Sequence, residues 1–199
     1  MKDLSDPTVA TLEVASALDA AGLPAAVYGG LALAAYGEPR ETKDADFAVG
    51  AADARAVLEA LRRAGIDCAI GFDAVRFGGN DVSRITLLGA STATGLNVLD
   101  LVRPRSRRYA SAVLERALTG TVRGRRVTIV APEDFVLLKV LSTRERDVED
   151  AASVLRSLAG RLDHALIDGE ASLLAAEVPD HSVTDRLSRA RAGAEHRTI

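Results

Sequence analysis

A chain of 199 residues, 48% hydrophobic and 27% charged, holds one core of ordinary size with room for a helical appendage; it is too short for two full domains and too apolar to be disordered or fibrous. Its net charge of −3 argues against a protein that coats nucleic acid through overall positive potential. A single cysteine, Cys68, excludes an intrachain disulfide or a cysteine-rich zinc site, and His164, His181 and His196 lack metal-ligand spacing, so chemistry must rest on carboxylates and cations.

The opening MKDLSDPTVA has no basic segment followed by an apolar run, and no stretch reaches the roughly 18 apolar residues of a membrane span. A cytoplasmic protein with no membrane partner is therefore expected. Residues 9–21 carry apolar side chains at helical spacing, with Asp6 and Pro7 before them and Gly22 after. A short buried strand over 25–28 stops at Gly29 and Gly30, and a compact helix over 31–36 follows. Residues 44–49 alternate acidic and apolar side chains, the period of a strand with two distinct faces. A helix is predicted over 51–64, then strands over 74–77, 83–88 and 96–102, the last two separated by the turn-prone GASTATG. A helix over 106–118 and a hairpin over 120–130 turning near Gly124 come next. Helices over 132–141, 148–158 and 162–177 and a frayed tail rich in arginine and alanine complete the chain. Mixed elements early and helices late predict an α/β (α+β) fold: a mixed-sheet core over 1–130 and a helical C-terminal region over 131–199.

The chemistry gathers around YGG, a helix, and Asp44-Ala45-Asp46. Paired glycines let backbone approach a ligand closely, and the free N–H groups of the following helix favour an anion. Thirteen residues separate Gly30 from Asp44. The two acids sit at i and i+2 of one strand, so their Cα atoms lie about 6.5 Å apart with both side chains on one face. Two such carboxylates repel by about 4 kcal/mol at a separation of about 4 Å in an effective dielectric near 20. Magnesium, which takes one or two carboxylates and completes its shell with substrate phosphates, relieves that repulsion. Asp100, in NVLDLV, is a third acid on a strand able to pair near the first. Only Lys2, Lys43 and Lys139 are lysine among 25 basic residues, which draws attention to the two inside the fold.

The stretch VYGGLALAAYGEPRETKDADFAV resembles the signature of the nucleotidyltransferase superfamily: an apolar residue, Gly-Gly or Gly-Ser, about a dozen residues, then D-x-D. Downstream, VTIVAPEDFVLLKVLSTRERDVEDAASVL is similar to the segment after the core in the AbiEii-like group, which includes the MenT toxins. The resemblance covers roughly residues 25–158 and implies a nucleotidyltransferase-type fold and an enzyme that transfers a nucleoside monophosphate from an NTP to an acceptor hydroxyl. It implies that Gly29 and Gly30 cradle the triphosphate, that Asp44 and Asp46 bind magnesium, with two ions expected, and that Asp100 acts as base or third metal ligand. Lys139 would neutralise phosphate charge, and Asp147 would contribute from the next helix. Arg40 and Lys43, in the loop delivering Asp44, are candidates for phosphate contacts. A tRNA end as acceptor and a cognate antitoxin follow from the toxin relatives; a small acceptor such as an aminoglycoside, or a non-catalytic regulatory module of the same fold, stays open. Glycine stands where many members carry serine, so backbone N–H groups replace a hydroxyl. Basic clusters at Arg103, Arg105, Arg107 and Arg108 and at Arg123, Arg125 and Arg126 would suit an RNA backbone if brought together.

Overall fold

Asp6 starts the first helix as the spacing predicts: its carboxylate accepts the N–H groups of Thr8 and Val9, and Pro7 fills the first turn. The computed structural model describes residues 4–36, 39, 41–51, 53–88 and 97–196. In chain order these form α1 (Pro7–Ala20), β1 (Ala25–Val27), α2 (Gly29–Tyr36), β2 (Asp44–Val49), α3 (Ala54–Arg63), β3 (Cys68–Phe77), β4 (Asn80–Leu87) and β5 (Asn97–Pro104). There follow α4 (Arg107–Glu115), β6 (Leu118–Val122) and β7 (Arg125–Ile129), then α5 (Pro132–Val140), α6 (Glu145–Ser157), α7 (His164–Glu177) and α8 (Val183–Glu195).

The strands make one sheet in the order β3-β4-β5-β2-β1-β7-β6, with β2–β5 and β1–β7 parallel and the remaining pairs antiparallel. The predicted mixed α/β core with a helical C-terminal region is the fold observed. β2 takes the predicted bounds, and its alternation sorts its two faces. Phe47 is buried beside Leu12 of α1 and Leu114 of α4, while Asp44 and Asp46 open onto a cleft on the opposite face. Burying Phe47, Leu99 and Leu101 contributes roughly 1.5–3 kcal/mol each, and this is what anchors the acid-bearing strands.

Several element ends shift by up to three residues, and two departures from the sequence reading are larger. β3 begins at Cys68, six residues before the strand expected at 74, because it is an exposed sheet edge whose pattern is broken by register shifts between Ile70 and Phe72 and between Phe72 and Val75. The arginine-rich tail expected to fray is instead the regular helix α8, with Val183, Arg186, Leu187 and Ala190 buried. The GASTATG turn lies outside the described residues. No helix among the described residues is long and apolar enough to cross a membrane.

Candidate active site

Strand register assembles the site. Phe72 of β3 lies opposite Arg84 of β4, Arg84 opposite Asp100 of β5, and Asp100 opposite Asp46 of β2. Four neighbouring strands thus present one row of side chains, aromatic, cation, anion, anion, on one face of the sheet, because directly paired residues project to the same side. Asp44 stands two residues from Asp46 on that face. A cleft of about 640 Å³ opens over the row, bordered also by Tyr28, Gly29, Lys43, Lys139, Arg144, Arg146 and Asp147.

Within the row, Arg84 grips Asp100 with both prongs of its guanidinium, Nε to Oδ1 at 2.8 Å and Nη2 to Oδ2 at 2.7 Å. The same guanidinium lies over the Phe72 ring, 5.5 Å from its centre. Asp46 is not matched in this way. Burial, with Asp100 and Asp44 adding to it, pushes its carboxyl up to about 6, against the pull of Lys139 and Arg144. A carboxylate held at that height beside two others is a place where a cation is favoured.

Gly29 is required by geometry twice over. Its φ is +61°, a conformation costly for L side chains, and a Cβ there would fall 1.9 Å from Oδ2 of Asp46. Gly30 is buried, and a Cβ on it would meet the Thr42 side chain at 2.7 Å. The two glycines let the start of α2 sit directly against β2 and its leading loop. Gly29→Ala is expected to lower stability by about 2–4 kcal/mol and to displace Asp46; an unchanged melting temperature would count against this close approach.

Behind Asp46 lies a buried ionic cluster. Lys139 is 2% exposed, and its Nζ reaches Oδ1 of Asp147 at 2.7 Å and Oδ2 of Asp150 at 2.8 Å, with the Tyr28 and Phe135 rings 5.2 and 5.5 Å away. Arg144 adds a bond to the other oxygen of Asp147 at 2.8 Å. Burial pushes the Asp147 carboxyl up, but Lys139, a Ser142 hydrogen bond and Arg144 outweigh it and hold it below the usual carboxylate range. The α5–α6 turn carrying these residues is fixed from outside: Arg186 donates to the carbonyls of Val140 and Arg144, His181 bonds Val140, and the N–H of Gly79 bonds the Leu141 carbonyl.

The structure therefore brings Gly29, Lys43, Asp44, Asp46, Asp100, Lys139 and Asp147 to one cleft. Gly30 lies just behind it, and Arg40 lies outside the described residues. Sequence reasoning missed Arg84, Phe72, Arg144 and Arg146; the first two are visible only through strand register. Among the described residues, no trio of His, Cys, Asp or Glu side chains is gathered tightly enough to hold an ion unaided. Asp44 and Asp46 do fit a hard cation whose remaining ligands are water and substrate oxygens. Five of the seven arginines in the two basic clusters are paired with acids of the chain. Arg103 faces Asp81, Arg105 faces Asp180, Arg108 joins Glu170 and Glu177, Arg123 meets Asp6, and Arg125 meets Glu13.

Two solved structures share this architecture. One is an antigenic nucleotidyltransferase-like protein from Paracoccidioides brasiliensis, with a TM-score of 0.50 and 16% identity over 92% of each chain. The other is the antibiotic-resistance factor ANT(2'')-Ia in solution, with a TM-score of 0.51 and 16% identity over 86% of this chain and 96% of that one. At such identity they speak for the fold alone. No curated protein sequence matches the chain. Residues 10–153 match the family model for aminoglycoside-2''-adenylyltransferase, a span that runs from α1 through the row of acids to the Lys139 cluster. The chain belongs to that family and is an enzyme of the nucleotidyltransferase type.

Proposed function

We propose that the protein transfers a nucleoside monophosphate from an NTP to a hydroxyl of a small acceptor of the aminoglycoside kind, releasing pyrophosphate. The observation that carries this reading is the Asp44–Asp46 pair on one face of β2, closed over by Gly29, in a chain matched across that motif by an adenylyltransferase family. Asp44 and Asp46 would hold magnesium, which, when bound, offsets charge on the triphosphate and sharpens the α-phosphorus as an electrophile. Asp100, beside Asp46, would take the proton of the attacking hydroxyl; each of its oxygens keeps a lone pair beyond the one Arg84 uses. The new P–O bond forms at the acceptor oxygen as the bond to pyrophosphate breaks. Gly29 would admit the triphosphate against the backbone, and Lys43, Arg144 and Arg146 at the cleft's edge would meet its charge. Lys139, already held by two carboxylates, would act from behind Asp46 rather than on phosphate. In this reading residues 1–130 form the core, and residues 131–199 complete the site through α5 and α6.

The narrower toxin reading, with a tRNA end as acceptor and an antitoxin as partner, has less support, since five of the seven clustered arginines are engaged by acids of the chain itself. One experiment separates the two. Each α-labelled NTP is incubated with magnesium and either an aminoglycoside panel or total RNA. Label on a small product is expected; label on RNA would favour the toxin reading. Asp44→Ala should lower incorporation by at least about a thousandfold. Incorporation unchanged in that variant, or absent with every acceptor, would remove the assignment.

A further inference from the structure

We infer that the site is built for one divalent ion, with the Arg84 guanidinium standing where a second cation would otherwise serve Asp100. The inference rests on the reading above. Asp46 and Asp100 are register partners on parallel strands, so their carboxylates are held side by side and one of them requires a positive neighbour. For Asp100 that neighbour is supplied by the chain. Arg84 sits directly across β4 from it, so the pairing is set by the sheet rather than by a long side chain reaching in from a loop. Two parallel bonds of 2.8 and 2.7 Å form the planar fork that suits arginine and carboxylate, and Phe72 backs the fork from the next strand.

Counted over this row and Asp44 alone, before a nucleotide brings its own charge, the balance leads to the same place. Asp44, Asp46 and Asp100 bring three negative charges, and Arg84 removes one. The remaining two match a single divalent ion on Asp44 and Asp46. A second ion sharing Asp100 would have to displace a bidentate guanidinium or sit beside it, like charge against like charge. Asp100 is thereby kept as a proton acceptor and withheld from metal binding, and Arg84 is a positioning residue that acts through it.

The test counts ions without reading turnover. Manganese is titrated into the full chain with α,β-methylene ATP, and free Mn²⁺ is followed by electron paramagnetic resonance. Wild type should saturate at a single ion per chain, whereas Arg84→Met should admit a second one. Arg84→Lys, which keeps the charge without the fork, should stay at one. Two ions in wild type, a single ion in a folded Arg84→Met, or a second ion in Arg84→Lys would each overturn the inference while leaving nucleotidyl transfer standing. If Arg84→Met fails to fold, wild type and Arg84→Lys decide the matter between them. Wild type that takes up no manganese with the analogue would overturn the metal-nucleotide reading itself, and this inference with it.

Discussion

Asp46→Asn is expected to make the protein more stable and inactive in the same step. The Asp46 carboxyl is raised to about 6 from an ordinary value near 3.8, with burial as the leading cause. A group raised in this way favours the folded state in its protonated form. The penalty is absent below about pH 4, grows between pH 4 and 6, and is complete above pH 6. A shift of that size corresponds to on the order of 2–3 kcal/mol. Asparagine never carries the charge, so urea unfolding should show the variant more stable by roughly that amount at pH 8 and level with wild type near pH 4. Magnesium should raise the wild-type midpoint and leave that of the variant unmoved. Nucleotide incorporation should fall by at least about a thousandfold. Equal stabilities at pH 8 would mean that the carboxylate is not strained by its surroundings.

The second large effect is expected at Lys139. Lys139→Met keeps length and apolar volume but takes the ammonium away from Asp147 and Asp150 in a place where water cannot replace it. Breaking one side of a buried ionic cluster costs about 3–5 kcal/mol. Pairing the change with Asp147→Asn should recover part of the loss, because the amide no longer requires a counter-charge. Asp147 gives the wild type an acid limb as well. Its carboxyl is held below the usual range, so its contribution is present at neutral pH and is lost as the pH falls through that lowered value. Lys139 also pulls the Asp46 carboxyl down, so its removal should shift the acid side of the pH–activity profile towards higher pH. A melting temperature within one or two degrees of wild type would show that the cluster is better solvated than its burial implies.

What could be read in the sequence was what is local. β2 has the predicted bounds because acidic and apolar residues alternate within it, and α1 starts where Asp6 and Pro7 place it. The cleft residues carried by YGG, D-x-D and the P-E-D segment were found because each motif is contiguous. Arg84 was not found, since its importance comes from lying across two strand pairings from Asp46, and no periodicity within VSRITLL reports that. The Lys139 cluster was seen only in part: the spacing offers the acids but does not say that the ammonium lies between two of them. The tail was misjudged because an arginine reads as exposed, whereas Arg186 is buried by bonding the carbonyls of Val140 and Arg144. Asp100 was expected as base or metal ligand. Its placement beside Asp46 fits both roles, and its partner Arg84 is what separates them.

The row Phe72, Arg84, Asp100, Asp46 also bears on which length changes the gene can tolerate. Connections between strands can gain or lose residues, provided the strands still meet in the same alignment. A single-codon deletion inside β4 would be far more severe, because sliding a strand by one position turns its side chains to the opposite face. Arg84 would then point towards the helices that cover Phe47, and Asp100 would face Ser83 or Ile85 in its place. Among natural relatives, length variation should therefore gather in the loops and be nearly absent from β2, β4 and β5.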